Sequence, residues 1–318
     1  MLRLRLHGWL ATGLLFLAPL GVHDATAATS TSAEEEPVPQ LSRKGADDCL
    51  RCHDDKQILT IFRTPHGSRV NPRSPFTGLQ CEACHGPGSL HIQSQRRGEG
   101  KILPPVVFGS NTKTPANMQN QACLQCHESD ARIGWKGSVH ERNDLSCSNC
   151  HKVHETHDPA LNEAEQGELC FGCHLEQRAE IFRAFTHGQR FDALACSDCH
   201  NPHSSPGAHL LIKPTVNQTC YTCHADLRGP FLWEHPPAAE NCDFCHTPHG
   251  STNQALLKQQ PPLLCQRCHS QAGHPSVAYT GTGLPPSGAE RALLAQSCLN
   301  CHSQVHGSNH PSGVHLLR

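Results

Sequence analysis

The stretch Cys196-Ser197-Asp198-Cys199-His200-Asn201-Pro202-His203 contains the word that decides the fold, C-x-x-C-H, with a second histidine close behind it. The chain of 318 residues holds ten copies of this word, and together they use all twenty cysteines. In a C-x-x-C-H word the two thiols typically bind a c-type haem covalently, and the histidine becomes an axial ligand of its iron. The sequence therefore predicts ten covalently bound c-type haems.

Two other uses of paired cysteines explain the pattern less well. A disulfide scaffold also needs an even number of cysteines, but it gives no reason for a histidine after every second one. Zinc ribbons contain C-x-x-C pairs, yet their remaining ligands need not sit directly behind the second cysteine. Haem attachment accounts for all three fixed positions of every word.

The predicted attachment residues are both cysteines of each word: Cys49, Cys52, Cys81, Cys84, Cys123, Cys126, Cys147, Cys150, Cys170, Cys173, Cys196, Cys199, Cys220, Cys223, Cys242, Cys245, Cys265, Cys268, Cys298 and Cys301. The predicted proximal ligands are the word histidines: His53, His85, His127, His151, His174, His200, His224, His246, His269 and His302.

The words alternate between two types, which predicts about five di-haem units with a period near fifty residues over most of the chain. Each unit has a first word, a second word and two further histidines. One histidine lies between the words: His66, His140, His187, His235 or His274. The other follows the second word: His91, His154, His203, His249 or His306. These ten histidines are the predicted distal ligands, with the pairing to individual irons left open.

Counting potential ligands supports bis-histidine coordination. His7 and His23 belong to the predicted signal, so fourteen histidines outside the words remain for ten distal positions. Met118 is the only methionine after the start codon, so at least nine haems cannot have methionine as a ligand. The spare histidines are His157, His209, His310 and His315, and two choices stay open: His154 against His157, and His306 against His310. A histidine three places after a proximal ligand lies on the same side of that haem. We therefore expect His154, His203 and His249 to reach a neighbouring haem.

The N-terminus predicts export. Arg3 and Arg5 precede an apolar run at residues 9–20, and Ala25-Thr26-Ala27 is a small-residue cleavage site. A retained membrane anchor is disfavoured because the run is shorter than the roughly 18 residues that a spanning helix needs. We expect a signal peptide at 1–27, a polar leader at 28–45 and a decahaem domain at 46–318 that is soluble in the periplasm.

The composition is poor in material for a protein core. Hydrophobic residues make up 36% and aromatic residues 5% of the chain, whereas 25 glycines and 24 prolines favour loops. Porphyrins would supply the missing apolar surface. We expect a multihaem cytochrome c fold of short helices and irregular loops around an elongated chain of ten haems, with little or no β-sheet. The long spacers 87–121 and 271–297 are predicted to be loops or insertions.

Two histidines on each iron leave no open position for a substrate. The chain is therefore predicted to be an electron carrier of low potential and not an enzyme, since it also lacks an odd haem-binding word such as C-x-x-C-K. The formal net charge of −2 omits the haem propionates, so the loaded protein is expected to be acidic. The sequence has no basic patch of the kind that would indicate a nucleic-acid partner.

Three stretches resemble a known family. They are C-E-A-C-H-G-P-G at residues 81–88, the C-H-x-P-H forms that end at His203 and His249, and the tail V-H-G-S-N-H-P-S-G at residues 305–313. They are similar to the MtrA/DmsE-type decahaem cytochromes, which include MtoA and PioA, and the likeness extends from about Cys49 to the end. It implies a conduit inside an MtrB/PioB-type outer-membrane β-barrel porin, serving extracellular metal reduction or ferrous iron oxidation. The implied partners are that porin, periplasmic cytochromes and, as further candidates, cell-surface cytochromes.

The short leader favours an MtrA/MtoA-like chain over the PioA-like members, which have a long N-terminal extension. Two alternatives stand beside the conduit. One is a periplasmic electron shuttle that diffuses freely, and the other is a multihaem reductase. The direction of electron flow depends on donors and acceptors outside this sequence.

Overall fold

A computed structural model describes residues 37–99, 102–129, 132–189, 193–269, 297–311 and 313–316. The chain divides into two parts, Met1–Val38 and Pro39–Arg318. Of the first part, only residues 37 and 38 are described, and neither lies in a helix or strand. The predicted signal peptide, the first half of the leader and His274 lie outside the described residues.

Short helices dominate the second part. The α-helices are α1 Ala46–Cys49, α2 Lys56–Leu59, α3 Glu82–His85, α4 Ser89–Arg97, α5 Ala116–Leu124, α6 Val139–Arg142, α7 Cys147–Cys150, α8 Glu163–Phe171, α9 Leu175–Ile181, α10 Val216–Cys220, α11 Pro236–Glu240 and α12 Leu263–Gln266. Turns of 3₁₀-helix lie between them, including Cys196–Asp198, Cys242–Phe244 and Cys298–Asn300 at second words. The expected short helices joined by irregular segments are confirmed for the described residues.

Every word closes into one helical turn. The amide of each word histidine donates to the carbonyl oxygen of the first cysteine of the same word, at 2.9–3.1 Å in all ten copies. Residues four apart lie on the same face of a helical turn. The first cysteine and the histidine of a word therefore share one face, as attachment to a single haem requires.

The spacer 87–121 is more regular than the sequence predicted. It contains α4 and the start of α5, and α4 ends at Gly98, whose φ of 67° is the left-handed conformation common at helix C-termini. The helix also carries the predicted distal ligand His91. The second long spacer, 271–297, lies outside the described residues except for Ser297.

Two pairs of very short strands are present among the described residues. β1 Phe185–Thr186 pairs antiparallel with β3 Gly250–Ser251, in the register Phe185 to Ser251. β2 Trp233–Glu234 pairs antiparallel with β4 Gly307–Ser308, in the register Trp233 to Ser308. This small sheet content agrees with the predicted fold class.

The polypeptide itself provides a sparse core. Few large apolar side chains are buried, among them Phe76, Trp135 and Ile181, and none in the described residues is fully enclosed. Others stand exposed, such as Val70 at 93% and Leu161 at 75%. A chain with this little buried apolar surface needs another source of it, and ten porphyrins are the source that the sequence predicts.

Candidate haem-binding sites

The words follow one another in space in their sequence order. Within each unit the sulfur atoms of the first cysteines of the two words lie close enough to interact: Cys49 with Cys81, Cys123 with Cys147, Cys170 with Cys196, Cys220 with Cys242, and Cys265 with Cys298. Between units the second cysteines are close enough to interact electrostatically: Cys84 with Cys126, Cys150 with Cys173, Cys199 with Cys223, and Cys245 with Cys268. The attachment sites therefore form one continuous series.

Nine predicted distal histidines each face a word histidine. The ring-centroid distances are 6.2 Å for His53–His91, 5.9 Å for His66–His127, 6.3 Å for His85–His154, 6.2 Å for His140–His174, 6.1 Å for His151–His203, 5.9 Å for His187–His224, 6.1 Å for His200–His249, 6.2 Å for His235–His269 and 6.2 Å for His246–His306. The tenth word histidine is His302, and the remaining predicted distal histidine is His274, which lies outside the described residues.

This spacing fits an iron between the rings. A transition-metal ion binds an imidazole nitrogen at about 2.0–2.1 Å, so two rings on opposite sides of one ion have centroids about 6 Å apart. The two imidazoles of a facing pair would together hold the iron of one haem, which would supply one-electron redox chemistry there.

Hydrogen bonds orient many of these imidazoles. Backbone carbonyl oxygens lie within hydrogen-bond distance of Nδ1 in His85 (Val106, 3.0 Å), His91 (Ile102, 2.7 Å), His140 (Pro202, 2.7 Å), His200 (His209, 2.8 Å), His235 (Val305, 2.8 Å), His246 (Ala255, 2.8 Å) and His302 (His315, 2.6 Å). A carbonyl oxygen only accepts, so Nδ1 carries the proton in each case. Nε2 is then the nitrogen with a free lone pair, which is the form that binds a metal.

Burial also keeps the imidazoles neutral. It is the main cause that lowers the pKa of His66, His85, His127, His154, His187, His200, His203 and His306. A protonated imidazole cannot bind iron, because its lone pair is taken. The surroundings therefore favour the form of histidine that a haem ligand needs.

In unit two the sequence left open which of two histidines is the ligand candidate, and the structure distinguishes them. His154 faces His85, whereas His157 is exposed and its Nε2 lies 2.7 Å from a carboxylate oxygen of Glu165. That hydrogen bond raises the pKa of His157, the opposite direction to His154. At the C-terminus it is His306 that faces His246.

Most facing pairs consist of one histidine from each of two neighbouring units. Each in-between histidine of units one to four faces the first-word histidine of the next unit, as His66 faces His127. Each following histidine of units two to five faces the second-word histidine of the preceding unit, as His154 faces His85. The exception is His91, which faces His53 of its own unit at the N-terminal end.

The strand pairs lie directly beside crossing histidines. β1 precedes His187 and β3 follows His249, the two histidines exchanged between units three and four. β2 precedes His235 and β4 follows His306, which are exchanged between units four and five. Each short strand pair therefore joins the two segments whose histidines are exchanged between two neighbouring units. This gives the small sheets a structural role.

Two buried asparagines position words and were missed in the sequence. The side chain of Asn120 accepts from the amide of Cys147 at 2.8 Å, and that of Asn217 accepts from the amide of Cys242 at 2.7 Å. Each lies three residues before a first word and binds the second word of the same unit, holding the two words together. The recurrence of asparagine at this position in units two and four is the signal that could have identified them.

Comparisons with known proteins agree with this arrangement. A model of the doubled CXXCH motif matches residues 187–229 and 235–274, the NrfB-like c-type cytochromes match 81–165, and the cytochrome c554 and c-prime family matches 22–86. The multiheme cytochrome MtrA of Shewanella baltica is 47% identical over 280 residues, which are 87% of this chain and 82% of that protein. Cytochrome c-552 of Aliarcobacter butzleri is 23% identical over 180 residues, 49% of this chain and 33% of that one.

The paired words, their spatial grouping and this similarity show that the chain carries covalently bound c-type haems, and its twenty cysteines match a count of ten. In the part of the chain that the structure describes, no helix has the length and hydropathy to cross a membrane.

Proposed function

Because the chain belongs to the MtrA-type multihaem cytochromes c, electron-transfer proteins, we propose that its ten haems form a conduit through the outer membrane inside a porin. The observation that carries this proposal is the set of nine facing histidine pairs along the continuous series of words. It supports both a closed coordination at the nine irons concerned and a route from one haem to the next.

The proposed axial ligands are the nine facing pairs, with His274 as the expected distal partner of His302. A haem iron with two imidazole ligands takes up and releases one electron and offers no open position to a substrate. The side chains of this protein have the remaining tasks: the cysteines hold each porphyrin, the word histidine and its partner fix the iron, and carbonyl groups orient the imidazoles.

This closed coordination favours an electron carrier over a reductase. A reductase acting on a small oxyanion would need at least one iron with a free position. The ring of a second histidine stands opposite nine word histidines, which is where such a substrate would bind. The freely diffusing shuttle is the nearer competitor, because it would use the same ligands.

The proposed location is the periplasmic side of the outer membrane, with the chain held in an MtrB/PioB-type porin and exchanging electrons with periplasmic and cell-surface cytochromes. In a lipid bilayer every backbone polar group must be satisfied internally. The described chain consists mainly of short helices and irregular segments, and the ends of each helix leave backbone groups without a partner inside that helix. Passage across the membrane therefore requires a shield, which the porin would provide.

Sealed liposomes test the conduit. The haem-loaded protein and the porin are reconstituted together around a trapped redox dye, and an external reductant is added. We expect the dye to be reduced far faster than in vesicles that hold the porin alone or the cytochrome alone. If the combined vesicles are no faster, although the two proteins bind each other, the conduit is excluded and the diffusing shuttle takes its place.

A further inference from the structure

Two of the facing histidines differ from the others in what their Nδ1 atoms contact. Nδ1 of His151 lies 2.8 Å from Oδ2 of Asp158, and Nδ1 of His249 lies 3.1 Å from Oε2 of Glu180. Seven other histidines of the haem sites have backbone carbonyl oxygens at the same place. A carboxylate carries a full negative charge where a carbonyl carries only a dipole.

We propose that Asp158 and Glu180 are redox-tuning residues, which lower the reduction potentials of the haems held by His151 with His203 and by His200 with His249. The proposal rests on the ligand assignment given above. A carboxylate that accepts a hydrogen bond from Nδ1–H makes the imidazole a stronger electron donor through Nε2. A stronger donor stabilises ferric iron more than ferrous iron, so the potential falls.

The surroundings allow this charge to act. The side chains of Asp158 and Glu180 are 17% and 19% exposed, and those of His151 and His249 are 29% and 31% exposed. Solvent screens such partly buried charges less than surface charges. Each carboxylate therefore acts on one imidazole at hydrogen-bond distance.

The two sites are not equal. Oε1 of Glu180 lies 3.3 Å from Nη1 of Arg183, which offsets part of the negative charge. Oδ1 of Asp158 instead accepts from the backbone amide of Ala160 at 3.1 Å, and no cation is needed to hold it there. The contact to His151 is also the shorter one. We expect the larger effect at Asp158.

The two haems stand at the fourth and sixth words of the series, with the fifth word between them. The fifth-word histidine, His174, faces His140, whose Nδ1 contacts the carbonyl oxygen of Pro202. The reduction potentials of the haems at the fourth, fifth and sixth words would then be low, higher and low in turn. Electrons moving in either direction would meet two uphill steps there, so these positions control how readily the interior haems become reduced.

Redox titration of the haem-loaded protein tests the proposal. In Asp158→Asn, whose amide oxygen can keep the bond to Ala160, we expect one of the ten midpoint potentials to rise. A tenfold loss in relative stabilisation of the ferric form is a rise of about 59 mV for a one-electron couple. Glu180→Gln is expected to raise a different midpoint by less, and Asp158→Glu, which restores the charge, to return the first towards its native value.

Glu165→Gln is the matched control, because Glu165 holds the exposed His157, which faces no other histidine ring among the described residues. Its titration curve is expected to coincide with that of the native protein. Mass spectrometry checks that each variant retains ten haems. A variant that lost haem would be replaced by Asp158→Ser or Glu180→Ser, whose small uncharged hydroxyl can still accept a hydrogen bond, with the same upward shift expected.

Unchanged midpoints in fully loaded Asp158→Asn and Glu180→Gln would overturn the proposal. The ligand assignment is tested separately by His203→Ala, in which the haem at His151 is expected to bind carbon monoxide. If His203→Ala binds carbon monoxide but the carboxylate variants keep the native midpoint potentials, only the redox tuning is rejected. No carbon monoxide binding in His203→Ala would reject the ligand assignment itself.

Discussion

At the scale of single residues, His154 and His157 show how far surroundings can separate two histidines in one short segment. His154 lies opposite His85 at 6.3 Å, and burial lowers its pKa. His157, three residues later, is exposed, and the hydrogen bond to Glu165 raises its pKa. One is suited to bind a metal and the other to form a surface ion pair.

This contrast predicts different outcomes for two matched substitutions. His154→Ala removes the ring opposite His85 and is expected to open one iron position, so the reduced variant binds carbon monoxide at about one haem in ten. His157→Ala is expected to bind no more carbon monoxide than the native protein, in which we propose that the irons are closed. Difference absorption spectra of the reduced proteins measure both.

Equal spectra for the two variants would contradict the assignment of His154. Strong binding by the native protein would contradict closed coordination altogether and would favour the reductase.

At the scale of elements, Gly250 in β3 shows why the short ladders tolerate little change. A methyl group at Gly250 would collide with the carbonyl oxygen of Glu180 at the end of α9 and approach that of Phe185 in β1. The glycine therefore permits the close approach that places β3 beside β1 and His249 opposite His200.

Gly250→Ala is accordingly expected to destabilise the protein by about 1–3 kcal/mol, the usual cost of overpacking. The measurement is the urea midpoint followed by haem absorbance. Gly167→Ala is the control, because a Cβ there would lie 3.4 Å from the Phe171 ring, at ordinary contact distance. In the interior of α8 this change is expected to be neutral or to stabilise by up to about 1 kcal/mol. Equal midpoints for the two variants would show that the close approach at Gly250 is not needed.

The elements also show what the sequence could and could not predict. The recurrence of histidines in five units identified ten distal candidates, and nine of them face a word histidine in the described residues. Sequence spacing indicated that His154, His203 and His249 reach other haems, but not in which direction. For His249 that direction is accompanied by the β1–β3 pair of only two residues in each strand, and no hydrophobic pattern is long enough to predict such a pair.

The helix α4 was missed for a related reason. Gly86, Pro87 and Gly88 precede it, and a Gly-rich stretch follows, so the spacer has the composition of a loop. The nine residues of Ser89–Arg97 nevertheless form a helix, whose Arg96 contacts Asp48 at 3.0 Å. A contact between segments that are far apart in the sequence stabilises a helix that its local composition does not predict.

At the scale of the whole molecule, the haems take the place of a hydrophobic core. Exposed side chains such as Leu161, Leu175 and Leu232 and the scarcity of enclosed apolar residues leave the polypeptide with little to bury on its own. All ten words close into the same turn, so we expect every one to be used. The intact mass of the mature protein is expected to exceed that of the signal-cleaved peptide by ten haems. A mass with eight or nine would show that some words stay empty.

The crossing of histidines between units has a consequence for how the protein matures. A chain exported from its N-terminus delivers unit one to the periplasm before unit two, and domains commonly fold as they emerge. On the proposed ligand assignment, the iron at His85 would lack its second ligand until His154 arrives, and the iron at His151 would lack one until His203 arrives. Among the described pairs, only His53 and His91 belong to the same unit, and the proposed pair of His302 with His274 would be a second such case. Maturation would thus proceed stepwise from the N-terminus, with each arriving unit supplying a missing histidine ligand to the unit before it.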